Sequence, residues 1–159
     1  MFYFWGYCTF LTKTYVIFDC IYYNTNDISS ETQINKHIGT GNLCVEWDLK
    51  ATSRTASYSY VRLGTDYNNC IQIGHLYSNG GTSIRVIQNG TQINRSQTYT
   101  IPLDTEIHAK YTRNGHSHIL QLNDTTLTLT DSTYNDLTLL QAVVTDETED
   151  MRNLKVYLI

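Results

Sequence analysis

Apolar side chains occupy every second position in several short segments of the chain, which is the pattern of a β-strand with one buried face. In residues 44–50, Val45, Trp47 and Leu49 share one side of the predicted strand, and the other side is mostly charged. The same alternation predicts strands in residues 57–63, 70–74, 83–88, 106–112, 117–123, 126–130 and 153–159. Residues 137–144 are apolar on both parities, so they predict a central strand or a short helix.

Turn-forming residues separate these segments. Asn-Gly pairs stand at residues 89–90 and 114–115, and both residue types tolerate the positive φ angles of tight hairpins. The pair Asn114-Gly115 lies between two segments of matching alternation, so a β-hairpin is expected there. No segment has helical periodicity over three turns. The sequence therefore predicts one all-β domain over residues 1–159, a two-sheet antiparallel β-sandwich of the jelly-roll type.

Composition narrows the class of partner. Hydrophobic residues make up 41% of the 159 residues, which is enough for a packed core, whereas charged residues make up only 16%. Thirteen tyrosines and a single proline fit a chain rich in strands, because aromatic side chains pack well on a pleated surface. The formal net charge of −4 gives no long-range attraction for phosphate groups. Neither a nucleic acid nor an anionic membrane is therefore the expected partner.

Residues 1–14 form an aromatic N-terminal segment. Its aromatic side chains are Phe2, Tyr3, Phe4, Trp5, Tyr7 and Phe10. The segment lacks the basic start, the aliphatic run and the small-residue cleavage site of a secretory signal. It is also shorter than the about 20 apolar residues that span a membrane. We expect one or two strands here that pack into the sandwich or against a second copy of the chain in a homo-oligomer.

The four cysteines, Cys8, Cys20, Cys44 and Cys70, have no CxxC spacing, which argues against a zinc ribbon or a thioredoxin-like site. If the strands around Cys44, Leu63 and Cys70 form a meander, Cys44 and Cys70 lie two strand spacings apart. That separation is roughly 9.6 Å, beyond the roughly 7 Å that a disulfide allows between Cα atoms. We therefore predict no disulfide bond between Cys44 and Cys70.

Several segments also follow one another in a characteristic order. The strand VEWDLK at 45–50 is followed by YVRLG at 60–64, CIQIG at 70–74, SIRV at 83–86, and the hairpin IHAKYTRNG at 107–115 leading into LQLN. This order resembles the concanavalin A-like lectin and glucanase (laminin-G-like) jelly-roll superfamily over roughly residues 15–159. Domains of that kind occur in lectins, microbial surface adhesins and phage tail and fibre proteins. The resemblance implies a binding role in an extracellular, cell-surface or virion setting.

One branch of that superfamily hydrolyses β-glucans with a strand motif E-x-D-x-E or E-x-D-x-x-E, in which the first Glu is the nucleophile and the last the acid/base. Glu46 and Asp48 match the first two positions, but Lys50 and Ala51 stand where the acid/base belongs. Because neither can act as a carboxylic acid of raised pKa, the sequence predicts a protein that is not an enzyme. The preferred interpretation of Glu46 and Asp48 is a polar strand face paired with Lys50 or Arg62.

Two acidic loops, residues 66–69 and 146–150, offer oxygen ligands for calcium. We favour an Asx-type turn in the first and a solvated loop in the second, so no cofactor is expected, and a structural calcium ion is the alternative. His116 and His118 are two residues apart and could share a strand face as metal ligands. A solvated edge beside the hairpin is the preferred interpretation for them, and no metal site is predicted.

The predicted strand faces opposite the core suit a sugar ligand, because tyrosine presents a rigid amphipathic surface and planar polar groups hydrogen-bond to hydroxyls. If these strands are neighbours, one ligand-binding surface contains Glu46, Asp48, Tyr58, Tyr60, Arg62, Gln72 and Arg85. The alternative is that Tyr58 and Tyr60 are covered by a second layer of strands or by the aromatic N-terminal segment. The predicted function is a non-catalytic carbohydrate- or receptor-binding module of a surface or virion protein. A structural assembly module that uses residues 1–14 as its interface is the alternative.

Overall fold

The computed structural model describes residues 21–28, 32–52, 58–76, 81–144 and 149–159. The strands in these ranges are β1 (Ile21–Ile28), β2 (Thr32–Gly39), β3 (Leu43–Ala51), β4 (Tyr58–Asp66), β5 (Asn69–Leu76), β6 (Gly81–Gln88), β7 (Thr91–Arg95), β8 (Glu106–Asn114), β9 (Ser117–Leu122), β10 (Thr125–Thr130), β11 (Leu137–Val144) and β12 (Glu149–Leu158). Sheet I has the order β1-β12-β3-β8-β9-β10, and sheet II has the order β2-β11-β4-β5-β6-β7. All the strand pairs described are antiparallel. The predicted two-sheet β-sandwich is confirmed.

Each segment that the alternation predicts as a strand overlaps a strand of the structure. Residues 137–144 are a strand rather than a short helix, and this strand, β11, lies between β2 and β4. Its apolar residues on both parities fit the burial of nearly every side chain along it. The alternation does not predict β1, β2 and β7, and all three lie at sheet edges. The side chains of β2 and β7 are mostly exposed and polar, so these strands lack a clear apolar parity.

The core lies between the two sheets and consists of the apolar parity of each strand. In sheet I, Trp47 and Leu49 of β3 are buried beside Tyr111 of β8, and in sheet II the buried side chains include Leu63 and Ile73. Each such side chain stabilises the fold by about 1.5–3 kcal/mol relative to an exposed one. The other parity of each strand therefore lies on the outer face of its sheet. Within the described part of the chain, no helix is long and apolar enough to cross a membrane.

The two Asn-Gly pairs among the described residues lie at hairpins, and a third pair, at residues 79–80, lies outside them. Asn89 and Gly90 connect β6 to β7 with φ angles of 50° and 74°, as a type I′ turn requires. The hairpin between β8 and β9 is also confirmed, but its turn lies one residue later than the motif suggests. Asn114 pairs with Ser117 as the last residue of β8, so that the turn consists of Gly115 and the residue after it.

The predicted absence of a disulfide between Cys44 and Cys70 is confirmed, since both cysteines are free and buried. The reason given for it was wrong, because the two residues do not belong to one meander. Cys44 lies on β3 of sheet I, and Cys70 lies on β5 of sheet II. Cys8, Cys20 and the aromatic N-terminal segment lie outside the described residues, as does most of the acidic loop at 146–150.

Candidate functional site

The seven residues predicted to form one ligand-binding surface belong to two different sheets. Glu46 and Asp48 lie on β3 in sheet I, whereas the other five lie on β4, β5 and β6 in sheet II. Each has the parity opposite to the core, so the prediction that all seven lie on outer faces is confirmed. The expectation of a single surface is wrong, because consecutive strands β3 and β4 are not neighbours. The sandwich core separates the two groups.

Glu46 on the outer face of sheet I accepts hydrogen bonds and an ion pair from the adjacent strands. The Tyr157 hydroxyl of β12 donates to its Oε1 over 2.5 Å, and Lys110 Nζ of β8 lies 3.2 Å from the same oxygen. Burial alone would raise the pKa of Glu46, but these two contacts outweigh it and hold the pKa below its usual value. Glu46 is therefore an ionised carboxylate at neutral pH, and its Oε1 has partners on both neighbouring strands.

Asp48 is held in the same way on the same face. His108 Nδ1 of β8 donates to Asp48 Oδ1 over 2.7 Å, and Asn153 Nδ2 of β12 donates to Oδ2 over 2.7 Å. Here too, burial would raise the pKa of Asp48, and the hydrogen bonds from Asn153 and His108 lower it below its ordinary value. Beside this group, Arg152 pairs with Glu106 over 3.0 Å.

These contacts show the role of Glu46 and Asp48 in sheet I. Glu46 and Asp48 are paired across the strands, as preferred, but their partners are Lys110 and His108 rather than Lys50 or Arg62. Both carboxyl groups have lowered pKa values, whereas a general acid needs a raised one. Ala51 occupies a buried position of β3 with 1% of its surface exposed. The outer face of sheet I is a network of paired charges.

The outer face of sheet II has a row of guanidinium and amide side chains that crosses five strands. Successive Cα partners in the ladders are Gln141 and Arg62, Arg62 and Gln72, Gln72 and Arg85, and Arg85 and Arg95. Partners in an antiparallel ladder point to the same face, so these five side chains stand side by side. We call these five residues the arginine row.

Arg62 is held in place from three sides. Its guanidinium carbon lies 5.1 Å from the centre of the Tyr60 ring and 5.7 Å from the centre of the Tyr67 ring. Its NH1 group donates to Gln141 Oε1 over 3.1 Å. The Tyr67 hydroxyl donates to Gln33 of the edge strand β2, which fixes the Tyr67 ring across this face. Arg62 is therefore ordered while remaining partly exposed.

Arg85 is the most buried charged side chain of the arginine row, with 1% of its surface exposed. Its Nε donates to Ser83 Oγ over 2.9 Å, and its terminal nitrogens make longer contacts of 3.5 Å to Gln72 Oε1 and 3.4 Å to the Gly81 carbonyl. All three acceptors are uncharged. Burial and, after it, the nearby Arg95 lower the pKa of Arg85 from 12.5 to about 10.

The two tyrosines predicted to face a ligand differ in exposure. Tyr58 is half-buried, but Tyr60 has only 9% of its surface exposed and packs against Val143 of β11. The alternative interpretation, that the ring is covered, therefore describes Tyr60 better than Tyr58. Among the described residues, Tyr67 is one of the few exposed large hydrophobic residues, with 43% of its surface open to solvent.

Sequence reasoning missed three residues of this face: Tyr67, Arg95 and Gln141. Arg95 lies on the edge strand β7, which has no apolar alternation to reveal it. Gln141 is the single amide in an otherwise apolar run of β11, a signal that pointed to a polar partner on the same face. Tyr67 lies in the turn between β4 and β5 and reaches Arg62 only through the tertiary fold.

Two of the side chains considered as metal ligands, Asp66 and His118, have structural partners. Asp66 accepts hydrogen bonds from the Asn68 backbone and the Asn69 side chain, so the preferred Asx-type turn is present. His118 is fully buried between the Tyr111 hydroxyl and the Asp131 carbonyl, which contradicts the expected solvated edge for this residue. In the described ranges, no group of three or more His, Cys, Asp or Glu side chains could hold a metal ion.

The fold is similar to solved structures of sugar-binding proteins at low sequence identity. A crystal structure of chicken galectin 2 has a TM-score of 0.60 and 11% identity, covering 84% of this chain and 99% of the galectin. Congerin II liganded with lactose and MES has a TM-score of 0.59 and 14% identity over 81% of this chain and 99% of congerin II. Carbohydrate-binding module CBM66 from Bacillus subtilis has a TM-score of 0.52 and 15% identity over 77% of this chain and 83% of the module.

No protein-family model matches the chain, and a search of the curated proteins finds no match. The similarity to the solved structures therefore concerns the fold. The predicted jelly-roll type of sandwich is confirmed at the level of the fold, because chicken galectin 2 and the CBM66 module are similar over most of this chain. The described chain has a two-sheet antiparallel β-sandwich fold similar to that of these proteins.

Proposed function

We propose that this protein is a non-catalytic carbohydrate-binding module that binds a glycan on the outer face of sheet II. The observation that supports this most directly is Arg62, a guanidinium held between two tyrosine rings with part of its surface open. Guanidinium and amide groups donate hydrogen bonds in fixed planes, and tyrosine rings pack against the apolar faces of sugars. The half-buried Tyr58 and the exposed Tyr67 would contact the sugar rings.

Sheet II is a better candidate than sheet I because its polar groups are less engaged with each other. Glu46 and Asp48 on sheet I each have two partners on neighbouring strands. A sugar bound there would have to replace those charge-assisted contacts with weaker ones. In contrast, two of the contacts of Arg85 on sheet II are 3.4 and 3.5 Å long. Hydrogen bonds of that length are weak, so little energy is lost when they rearrange.

The fold comparison adds support of a different kind. One similar structure is described as a carbohydrate-binding module, and another holds lactose. The proposed setting, a cell-surface or virion protein with the glycan on a receptor or host surface, rests on the sequence resemblance alone. The absence of catalysis is part of the same proposal and rests on Lys50 and Ala51 in the broken glucanase motif.

A glycan array tests this function. We expect the wild-type chain to bind a subset of glycans, and Tyr58→Ala and Arg62→Gln each to weaken that binding about tenfold, the loss of one good contact. Arg152→Gln is the matched control, because Arg152 is also half-buried but lies on the outer face of sheet I. If no glycan binds, or if the control loses as much affinity as Arg62→Gln, glycan binding by sheet II is wrong.

A further inference from the structure

Three arginines of the arginine row have no carboxylate partner among the described residues. Arg62 and Arg85 contact only uncharged acceptors or aromatic rings, and the ion pairs among the described residues are formed by other side chains. The three arginines lie on β4, β6 and β7, so the row from Arg62 to Arg95 spans about 14 Å across three strand spacings. Of these three arginines, Arg95 is exposed, Arg62 is half-buried and Arg85 is buried.

Arg85 is buried without a carboxylate partner among the described residues. A buried charge is normally paired, because burial removes it from the water that solvates it. The guanidinium has five N–H donors, and three of them contact Ser83, Gln72 and Gly81. The neighbouring Arg95 adds like-charge repulsion, which contributes to the lowered pKa of Arg85.

Arg113 is a buried arginine with a structural role, and it differs from Arg85 in its contacts. Arg113 also has no carboxylate partner among the described residues, but it donates to the backbone carbonyls of Gly115, Tyr134 and Asn135 over 3.2, 3.4 and 2.8 Å. Those contacts hold the loop between β10 and β11 against the β8–β9 hairpin. Arg85 contacts only residues of its own strand and of its neighbour β5, so it connects no separate parts of the chain.

We propose that the outer face of sheet II binds glycans with acidic substituents, carboxylates or sulfates, at the guanidinium groups of Arg62 and Arg95, the two arginines of the row that solvent reaches. This inference rests on the proposed glycan-binding function and specifies its ligand class. The half-buried Arg62 and the exposed Arg95 bind the oxyanions of the ligand, since a guanidinium matches the geometry of both groups. Arg85 lies between them in the ladder and is buried, so it does not contact the ligand.

The net charge of −4 does not oppose this assignment. Charges further apart than the Debye length, about 8 Å at physiological salt, are largely screened from one another. The ionised carboxylates Glu46 and Asp48 lie on the outer face of the opposite sheet, beyond the core, and each is already paired. The local charge of the arginine row therefore determines which ligand is attracted to sheet II.

Matched pairs of ligands test the proposal in the full chain by calorimetry. The first pair is an oligogalacturonide and its methyl ester, in which the carboxylates are replaced by neutral ester groups, and the second is a sulfated oligosaccharide of neutral sugars and its desulfated form. We expect at least one acidic member to bind about tenfold or more tightly than its neutral counterpart, because charge-assisted hydrogen bonds are the stronger ones. Arg95→Gln, at an exposed position that folding does not need, should remove this preference. Arg152→Gln is the control and should keep it.

The outcomes distinguish the preference for acidic glycans from glycan binding itself. Preference for the carboxylate or for the sulfate identifies the source of the oxyanion and supports the assignment in either case. Equal binding of charged and neutral members, unaffected by Arg95→Gln, overturns the acidic ligand class and leaves glycan binding intact. Absence of binding to every acidic and neutral glycan overturns both. Thermal melting of Arg62→Gln and Arg85→Gln beside Arg95→Gln shows which variants are folded, and only folded variants are compared.

Discussion

Replacing Gly74 with alanine tests the close approach of β4 and β5 beside the arginine row. An alanine Cβ at this position would lie 2.2 Å from the Ser59 carbonyl oxygen and 2.7 Å from the Tyr60 Cα. Both are backbone atoms of a paired strand, so they cannot move aside without disrupting the ladder. Such overpacking costs about 1–3 kcal/mol. The φ of +139° adds about 1–3 kcal/mol for a residue with a side chain.

The expected loss for Gly74→Ala is therefore about 2–6 kcal/mol, a large part of the 5–15 kcal/mol by which a typical domain is stable. Gly115→Ala is the matched control, because Gly115 has a φ of +57° but no atom within 4 Å of its Cβ position. Gly115→Ala should lower the free energy of unfolding only by the cost of the left-handed backbone conformation, about 1–2 kcal/mol. The difference between the two variants isolates the steric contribution.

Urea denaturation and calorimetry measure both losses. In a chain of this size about 1 kcal/mol lowers the melting temperature by roughly 2–4 °C. If Gly74→Ala does not fold, Gly64→Ala replaces it, because a Cβ there meets the Asn69 carbonyl oxygen at 2.3 Å without a positive φ. Equal stability of Gly74→Ala and Gly115→Ala would refute the close packing of β4 against β5.

Three further predictions concern other parts of the molecule. Burial lowers the pKa of His118. Below pH 6.5 the unfolded state therefore binds more protons than the folded state, so the free energy of unfolding decreases as the pH falls. The decrease is at most about 1.4 kcal/mol per pH unit. Denaturation at pH 7.5 and 5.5 should show this slope reduced in His118→Asn, and an unchanged slope would contradict it. Burial raises the pKa of the Cys44 thiol above its ordinary value, and it raises the pKa of the Cys70 thiol to about 11. Both thiols should therefore react slowly with a thiol reagent until the protein is unfolded. Finally, light scattering should show more chains per particle for the full chain than for a chain lacking residues 1–14, and an equal number would rule out the aromatic segment as an interface.

The sequence predicted the class of fold because the determinants of that class are local. Alternation with period two follows directly from the geometry of a strand, so Val45, Trp47 and Leu49 had to share a face wherever β3 lay. The same rule placed Glu46 and Arg62 on outer faces. The substitution of Lys50 and Ala51 in the glucanase motif could also be read without a structure, because the required carboxyl group is simply missing.

Tertiary structure decided which outer faces combine into a site. Parity along a strand does not say which strand lies beside it, because that depends on pairing between distant segments of the chain. Glu46 was therefore grouped with Arg62, although β3 pairs with β8 and β12, and β4 pairs with β5 and β11. The ladders also brought Arg95 beside Arg85. The clustering of arginines without carboxylates depends on this pairing, and it cannot be seen in any single strand.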